Sequence, residues 1–287
     1  MKEESLLAET KQLLRRSDLK ARKRLGQHFL IDGDVRQQIL AAAELTPDDT
    51  VMEVGPGLGI LTRELAQRTR RVIAIEMDDK LADFLQQEMA SLPSVTVINK
   101  DVLKTEPATL LARPERYKVV ANLPYYITSP VLRHFLEASL KPDLMVVMVQ
   151  KEVAEAIAAG PGKRRLLSIG VQFYGRPTII GKVPAKAFYP APEVDSAILR
   201  IDLYARPAVA VDDVDSFFEL VRAGFASPRK QLANSLAQGL SWPKADALNV
   251  LAEASIASPR RAETLTLEEW AQLWQAYKKC QREKEAC

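Results

Sequence analysis

Alternating strand and helix signals over most of the chain predict an α/β fold with a doubly wound, largely parallel sheet, followed by a small all-helical domain. Three observations lead there. Short β-branched runs alternate with helical patterns, the arrangement that right-handed crossovers close into a parallel sheet. A glycine-rich turn, Gly55-Pro56-Gly57-Leu58-Gly59, follows the first of these runs. Strand signals vanish beyond Ala205-Arg206-Pro207, where helical periodicity alone continues.

Strands are expected at Thr50 to Val54, Arg71 to Glu76, Val95 to Asn99, Tyr117 to Asn122 and Leu144 to Val149. Their nearly continuous apolar character suits central strands covered on both faces. Helices are expected at Ile60 to Gln67, Lys80 to Ala90 and Pro130 to Leu140, with Ser129 as N-cap of the last and Pro130 in its first turn. Thr178 to Val183 and Ser196 to Asp202 read as late strands forming an antiparallel edge. Four helices follow: Val214 to Phe225, Arg229 to Gln238, Lys244 to Ala254 and Leu267 to Lys279. Pro228 and Pro243 fit helix starts, and Ser258-Pro259 marks a break. The expected organisation is a mobile basic arm over residues 1–20, an α/β domain over 21–206 and a helical domain over 207–287.

The 287 residues suit one large domain or two, and 47% hydrophobic with 27% charged content is ordinary globular composition. No apolar run reaches the roughly 18–20 residues that cross a bilayer. The charged start, Met1-Lys2-Glu3-Glu4, lacks the apolar core of a leader peptide, so a cytoplasmic location is expected. Cys280 and Cys287, both in the polar C-terminal tail, offer no disulfide framework, and two histidines, His28 and His134, argue against a histidine zinc site. Net charge is only +3, but it is unevenly spread. Arg15, Arg16, Lys20, Arg22, Lys23 and Arg24 form one cluster. Lys163-Arg164-Arg165, Arg229-Lys230 and Arg260-Arg261 form others. Each can meet phosphate or be a solvated patch.

The loop Glu53-Val54-Gly55-Pro56-Gly57-Leu58-Gly59 lets the backbone turn sharply and approach a ligand. A dinucleotide fingerprint requires Gly-x-Gly-x-x-Gly. Here the third glycine comes one residue early and Ile60 holds the required position, so the spacing disfavours NAD. It is similar to the Glu-x-Gly-x-Gly-x-Gly loop of S-adenosylmethionine-dependent methyltransferases. Glu76 ends the second strand, where a carboxylate can bind ribose hydroxyls. Asp101, after the third, can accept from an adenine amine. The alternatives are a surface carboxylate for Glu76 and a turn cap for Asp101. Three features together, at the carboxyl ends of successive strands, favour a nucleoside ligand.

Asn122-Leu123-Pro124-Tyr125 ends the fourth strand. The Asn122 side-chain oxygen and the Leu123 carbonyl can accept two N–H bonds from an exocyclic amine, and Tyr125 can stack on its ring. The alternative is a strand-ending turn with a core tyrosine. The longer run Ala121-Asn122-Leu123-Pro124-Tyr125-Tyr126-Ile127-Thr128-Ser129-Pro130 closely resembles the target site of the KsgA family, the small-subunit rRNA adenine dimethyltransferases. Gly26-Gln27-His28-Phe29-Leu30, the stretch Phe188 to Ala197 and Arg260-Arg261-Ala262-Glu263-Thr264-Leu265 resemble further signatures of that family, and the match runs from about Lys20 to Trp274.

This resemblance implies a Rossmann-like class I S-adenosylmethionine-dependent methyltransferase sheet with a C-terminal helical RNA-binding domain. It implies dimethylation of two adjacent adenines in the 3′-terminal hairpin of 16S rRNA, in a pre-30S subunit, by a monomer. The implied cofactor contacts are His28, Leu30, Gly55, Glu76, Asp101 and Asn122. The implied target-base contacts are Asn122, Leu123, Pro124 and Tyr125, with Phe188 either stacking on the base or buried in the core. Bacterial members often carry Asn where His28 stands; His still donates a hydrogen bond. They often carry an Arg-rich run where this chain reads Ser227-Pro228-Arg229-Lys230-Gln231-Leu232. The Erm family, acting on 23S rRNA, shares the loop and a similar tetrapeptide, typically with Ile in place of Leu123. The stretch Tyr125 to Pro130 favours KsgA. A non-catalytic nucleic-acid-binding relative is the other alternative, and the intact glycine loop with Glu76, Asp101 and Asn122 argues against it.

Overall fold

The computed structural model describes residues 6–16, 27–111 and 115–285. Lys20, Arg22, Lys23, Arg24, Gly26 and Cys287 lie outside the described residues. The chain divides into two compact units, residues 1–155 with 176–203, and residues 156–175 with 204–287.

The first unit is organised by a seven-stranded sheet. Its strands include β2 (Thr50–Val54), β3 (Arg71–Glu76), β4 (Val95–Asn99), β5 (Lys118–Asn122), β6 (Leu144–Gln150), β7 (Gly175–Val183) and β9 (Ser196–Leu203), in the order β4-β3-β2-β5-β6-β9-β7. Neighbours from β4 through β6 pair in parallel, and β9 pairs antiparallel with β6. The chain leaves β2 toward β3 and β4, then returns to place β5 on the other side of β2. Strand order therefore reverses between β2 and β5, and a crevice opens at their carboxyl ends. All five residues of β2 are buried, as expected of a strand covered on both faces. β4 corrects the expectation of a central position: it is the sheet edge, and every residue of it is at least partly exposed.

The helices α3 (Ile60–Ala66), α4 (Asp79–Glu88) and α5 (Thr128–Glu137) flank this sheet. Gly59 precedes α3 with φ of 78°, and a Cβ there would lie 2.5 Å from Leu85 Cδ1, so a side chain would meet both strain and α4. Asp78 caps α4 by accepting from the amides of Lys80 (3.1 Å) and Leu81 (3.4 Å). For α5 the expected Ser129 cap is corrected. One 3₁₀ turn, Tyr125–Ile127, runs straight into the helix at Thr128, so Ile127 holds the cap position and no side chain caps it.

Some elements were not expected from the sequence. Helix α2 (Gly33–Ala42) starts at a cap supplied by Asp32, and α6 (Lys151–Ile157) follows β6. Strands β1 (Phe29–Leu30) and β8 (Phe188–Tyr189) pair antiparallel, and two residues are too few to show alternation. Helix α1 (Leu6–Arg16) corrects the mobile arm over its own length. Leu13 and Leu14 are buried against Phe29, Leu58 and Leu81, each burial contributing about 1.5–3 kcal/mol. Glu9 and Glu88 both pair with Arg63, and Glu88 also with Arg16.

The second unit is helical: α7 (Leu166–Tyr174), α8 (Val214–Gly224), α9 (Leu232–Gly239), α10 (Lys244–Glu253) and α11 (Leu267–Glu285). Residues 156–175 were expected in the first domain. They join the helices: Ile169, Val171, Phe173 and Tyr174 of α7 are buried, while Leu166 at its first position stays exposed. Its Phe173 stacks on Phe217, ring centroids 5.1 Å apart. Trp270 and Trp274 are fully buried. α9 begins at Leu232 rather than at Pro228-Arg229, because Lys230 N–H closes a turn on Ser227 O (2.9 Å) and Leu232 N–H is drawn to Arg260 O (2.7 Å). No helix of the described residues is long and apolar enough to cross a membrane.

Candidate functional site

The crevice at the sheet reversal holds a cavity of about 280 Å³, walled by the ends of β2, β3 and β5 and by residues 27–30. Every expected cofactor residue lines it: His28, Leu30, Gly55, Glu76, Asp101 and Asn122. Leu123, Pro124 and Tyr125 line it as well.

On the β2–β3 side the wall is mostly backbone. Gly55 has φ of 67° and donates to Ile75 O at 3.0 Å. The Glu76 carboxylate is buried and occupied from behind. One oxygen accepts from Gly57 N (3.2 Å), the other from Asp78 N (2.9 Å). Burial raises its pKa, opposed by those two amides. Glu76 is thus both a cavity residue and a staple of the loop. Asp101 accepts from Leu103 N at 3.0 Å and caps the 3₁₀ turn Val102–Lys104. The turn-cap alternative therefore accounts for one carboxylate oxygen while the residue still lines the cavity.

Behind this wall lies Glu53, 2% exposed, with one oxygen lacking a hydrogen-bond partner among the described residues. Burial pushes its carboxyl up to about 8, and the nearby Glu76 charge adds to the shift. Thr62 Oγ1 is likewise buried and unpartnered by hydrogen-bond geometry, although a Thr62 bond is among the factors lowering the Glu53 pKa. Both oxygens lie out of water, so desolvation governs either way.

On the β5 side the wall is side chain. Asn122 Nδ2 donates to His28 O at 2.9 Å. A carbonyl only accepts, so the amide nitrogen must face it and Oδ1 is directed elsewhere. His28 Nδ1 lies 2.7 Å from Pro190 O, which by the same logic places a proton on Nδ1. Leu123 is buried, its N–H bonded to Met148 O at 3.2 Å in line with β6. The Tyr125 hydroxyl shares a 2.6 Å hydrogen bond with Ser196 Oγ, and burial raises its pKa. Its ring lies nearly parallel to His28, centroids 6.0 Å apart at 23°.

Phe188 is not brought to the cavity. It is 3% exposed and packs in the core cluster with Leu30, Val35 and Ile198. Antiparallel pairing of β1 with β8 turns it inward opposite Leu30, so the buried-aromatic alternative describes its place here. Two of the basic residues are also turned inward. Arg164 donates to Leu265 O at 3.0 Å, with its pKa lowered by burial. Arg260 clamps both oxygens of Glu269 and reaches Thr264 O at 2.7 Å. Lys163, Arg165, Arg229, Lys230 and Arg261 are exposed.

The α1 support of this site was missed. Phe29, Leu58 and Leu81 line the cavity with one side and hold Leu13 and Leu14 with the other. The signal was present: Leu6, Leu7, Thr10, Leu13 and Leu14 recur at helical spacing along one stripe.

Comparison with known proteins gives one consistent set of likenesses. Residues 18–278 match the family described as ribosomal RNA adenine dimethylase. The chain is 54% identical to the ribosomal RNA small subunit methyltransferase A of Dehalococcoides mccartyi, covering 95% of this chain and 94% of that one. With the protein of the same name from Moorella thermoacetica it shares 44% identity over 91% and 94% of the two chains. Among solved structures it resembles the 23S rRNA methyltransferase ErmE, with a TM-score of 0.68 and 30% identity over 86% of this chain and 98% of the other. A dimethyladenosine transferase from Plasmodium falciparum shares the fold, with a TM-score of 0.75 and 24% identity over 88% and 98%.

Proposed function

The chain belongs to the ribosomal RNA adenine dimethylase family, and from that premise we propose how its crevice carries the reaction and on which RNA. The protein is an rRNA adenine dimethyltransferase, and on this reading its methyl donor is S-adenosylmethionine. Its substrate on this reading is a pair of adjacent adenines in the 3′-terminal hairpin of 16S rRNA, within a small subunit under assembly in the cytoplasm, and it acts as a monomer.

The cavity residues suit the cofactor. A Cβ at Gly55 would come within 3.8 Å of Pro124 Cδ and 3.9 Å of Asn122 O, so the bare glycine keeps the junction of the two walls open to a ligand. Glu76 and Asp101 offer acceptors to ribose hydroxyls and an adenine amine, and His28 and Leu30 close the opposite side. When bound, the cofactor supplies a methyl group already activated on a sulfonium.

The observation that carries the proposal is the bond from Asn122 Nδ2 to His28 O. It fixes the amide so that Oδ1 is the atom left to accept from the N6 amine of the target adenine. The Leu123 carbonyl accepts the second N–H. These two acceptors draw the amine lone pair out of conjugation with the ring and stabilise the positive charge that develops on nitrogen. Holding the reacting atoms in line contributes roughly 7–11 kcal/mol. After transfer the nitrogen is strongly acidic and releases a proton without a dedicated base. The second methylation begins with one N–H fewer, so the site orients the adenine through Oδ1 or the carbonyl alone, with Tyr125 holding the ring. Extruding the base costs a few kcal/mol, and stacking returns about 1–3 kcal/mol.

A 23S rRNA substrate is the second reading, favoured by the likeness to ErmE. Leu123 and the run Tyr125 to Pro130 support the small subunit. Radiolabelled S-adenosylmethionine offered with unmethylated small subunits, large subunits and DNA separates the readings. Label is expected on small subunits; label on large subunits alone would overturn the proposal.

A further inference from the structure

Tyr126 is the most exposed large hydrophobic side chain among the described residues, at 55%, and it stands on the rim of the methyl-transfer cavity. The preceding residue, Tyr125, is tied inward through Ser196. Both belong to the 3₁₀ turn Tyr125–Ile127. With three residues per turn, consecutive side chains there diverge by about 120°, so one turn presents two aromatic rings in two directions. The turn itself is held at both ends: Ile127 N–H bonds to Pro124 O at 3.1 Å, and Thr128 N–H bonds to Tyr125 O. Tyr126 is therefore a large ring on a stiff mount, more than half exposed, at the rim of the cavity.

We infer that Tyr126 is the stacking platform for a base next to the adenine being methylated. This rests on the methyl-transfer reading above. Every base has a π face, so such a platform selects unstacked, single-stranded RNA rather than a particular letter. It gives the displaced neighbour a surface in place of the one it loses when the target adenine swings into the cavity. Tyr126 then acts on substrate capture, while Asn122 and Leu123 act on the chemical step. It touches the substrate beside the reacting base, away from the atoms that react.

The test is the steady-state methylation of unmethylated small ribosomal subunits by Tyr126→Ala, Tyr126→Leu and Tyr126→Phe, alongside direct titration with S-adenosylmethionine. Removing the ring is expected to raise the KM for subunits by about 5- to 100-fold, with kcat and cofactor affinity within about twofold of wild type. Phe should restore the wild-type KM, because the face of the ring and not the hydroxyl is used. Leu, which keeps apolar bulk without a π face, should behave like Ala. A KM unchanged in Ala and Leu overturns the inference, as does a weakened cofactor affinity or a defect that Leu repairs, since bulk alone would then suffice. Should the Ala variant fail to fold, the contrast between Leu and Phe decides. Wild-type enzyme inactive on small subunits would instead be a failure of the underlying functional reading, and the two failures are distinguished by that control.

Discussion

On the β2–β3 side of the cavity, carboxylates and backbone are bound chiefly to each other: Glu76 holds Gly57 and Asp78, and Asp101 holds Leu103. On the β5 side, polar side chains are pinned from behind by distant residues: Asn122 by His28 and Tyr125 by Ser196. The difference separates two kinds of work. A wall whose ligand-facing groups also hold its own loop joins binding to stability. A wall whose groups are each fixed through one atom presents the other atom to a reacting partner, so its substitutions reach the chemical step.

The sharpest way to break this comparison is Asn122→Ala. Single-turnover methylation should fall by about 10²–10³-fold or more, while titration still detects cofactor binding. Wild-type turnover would remove Asn122 from the reaction.

Glu53→Gln probes the other side through pH. The buried carboxyl keeps its proton up to about 8 when folded and releases it in the ordinary carboxylate range when unfolded. Its contribution to stability is therefore full at pH below the unfolded value. It then falls by up to about 1.4 kcal/mol per pH unit between the two values and levels off above the folded one. The glutamine variant should lose this slope in urea-unfolding midpoints taken from pH 5 to 9. A slope that survives the substitution would mean that another group titrates.

Gly59→Ala should cost about 1–3 kcal/mol, because the position combines a positive φ with a neighbour 2.5 Å from the new Cβ. Thermal unfolding measures the loss, and cofactor affinity is expected to fall with it if binding and loop stability are joined as described. The smallest effect expected is on the helical unit. Arg165→Ala should lower the salt dependence of RNA affinity by about one phosphate contact. Arg164→Ala should leave that slope alone and lower stability instead, since its guanidinium is bonded to Leu265 O. Equal slopes for the two variants would erase the distinction between inward and outward arginines.

The strands β2, β3 and β4 start and stop where their apolar runs do, and the glycine loop, Glu76, Asp101 and Asn122, grouped by the sequence, do line one cavity. Helix starts were less readable at Pro228 and Ser129. In both places a turn stabilised by its own backbone bonds competes with a side-chain cap. α7 was missed because a short, largely apolar run does not separate helix from strand by its period. β1 and β8 were missed because each exists only through the other.

Sequence by itself determined the period of the strands and helices it predicted, the conformation of the glycine turn and the chemical types gathered at the strand ends. Those depend on residues within a few positions of one another: side-chain spacing, φ freedom and cap chemistry. Tertiary structure alone decided that Asn122 is oriented by a carbonyl 94 residues away, that Phe188 is buried while Tyr126 faces solvent, and that Arg164 is inward while Arg165 is outward. The physical reason is the same in each case. The candidates are alike in residue type, and what separates them is which partner the folded chain brings within hydrogen-bond or van der Waals distance.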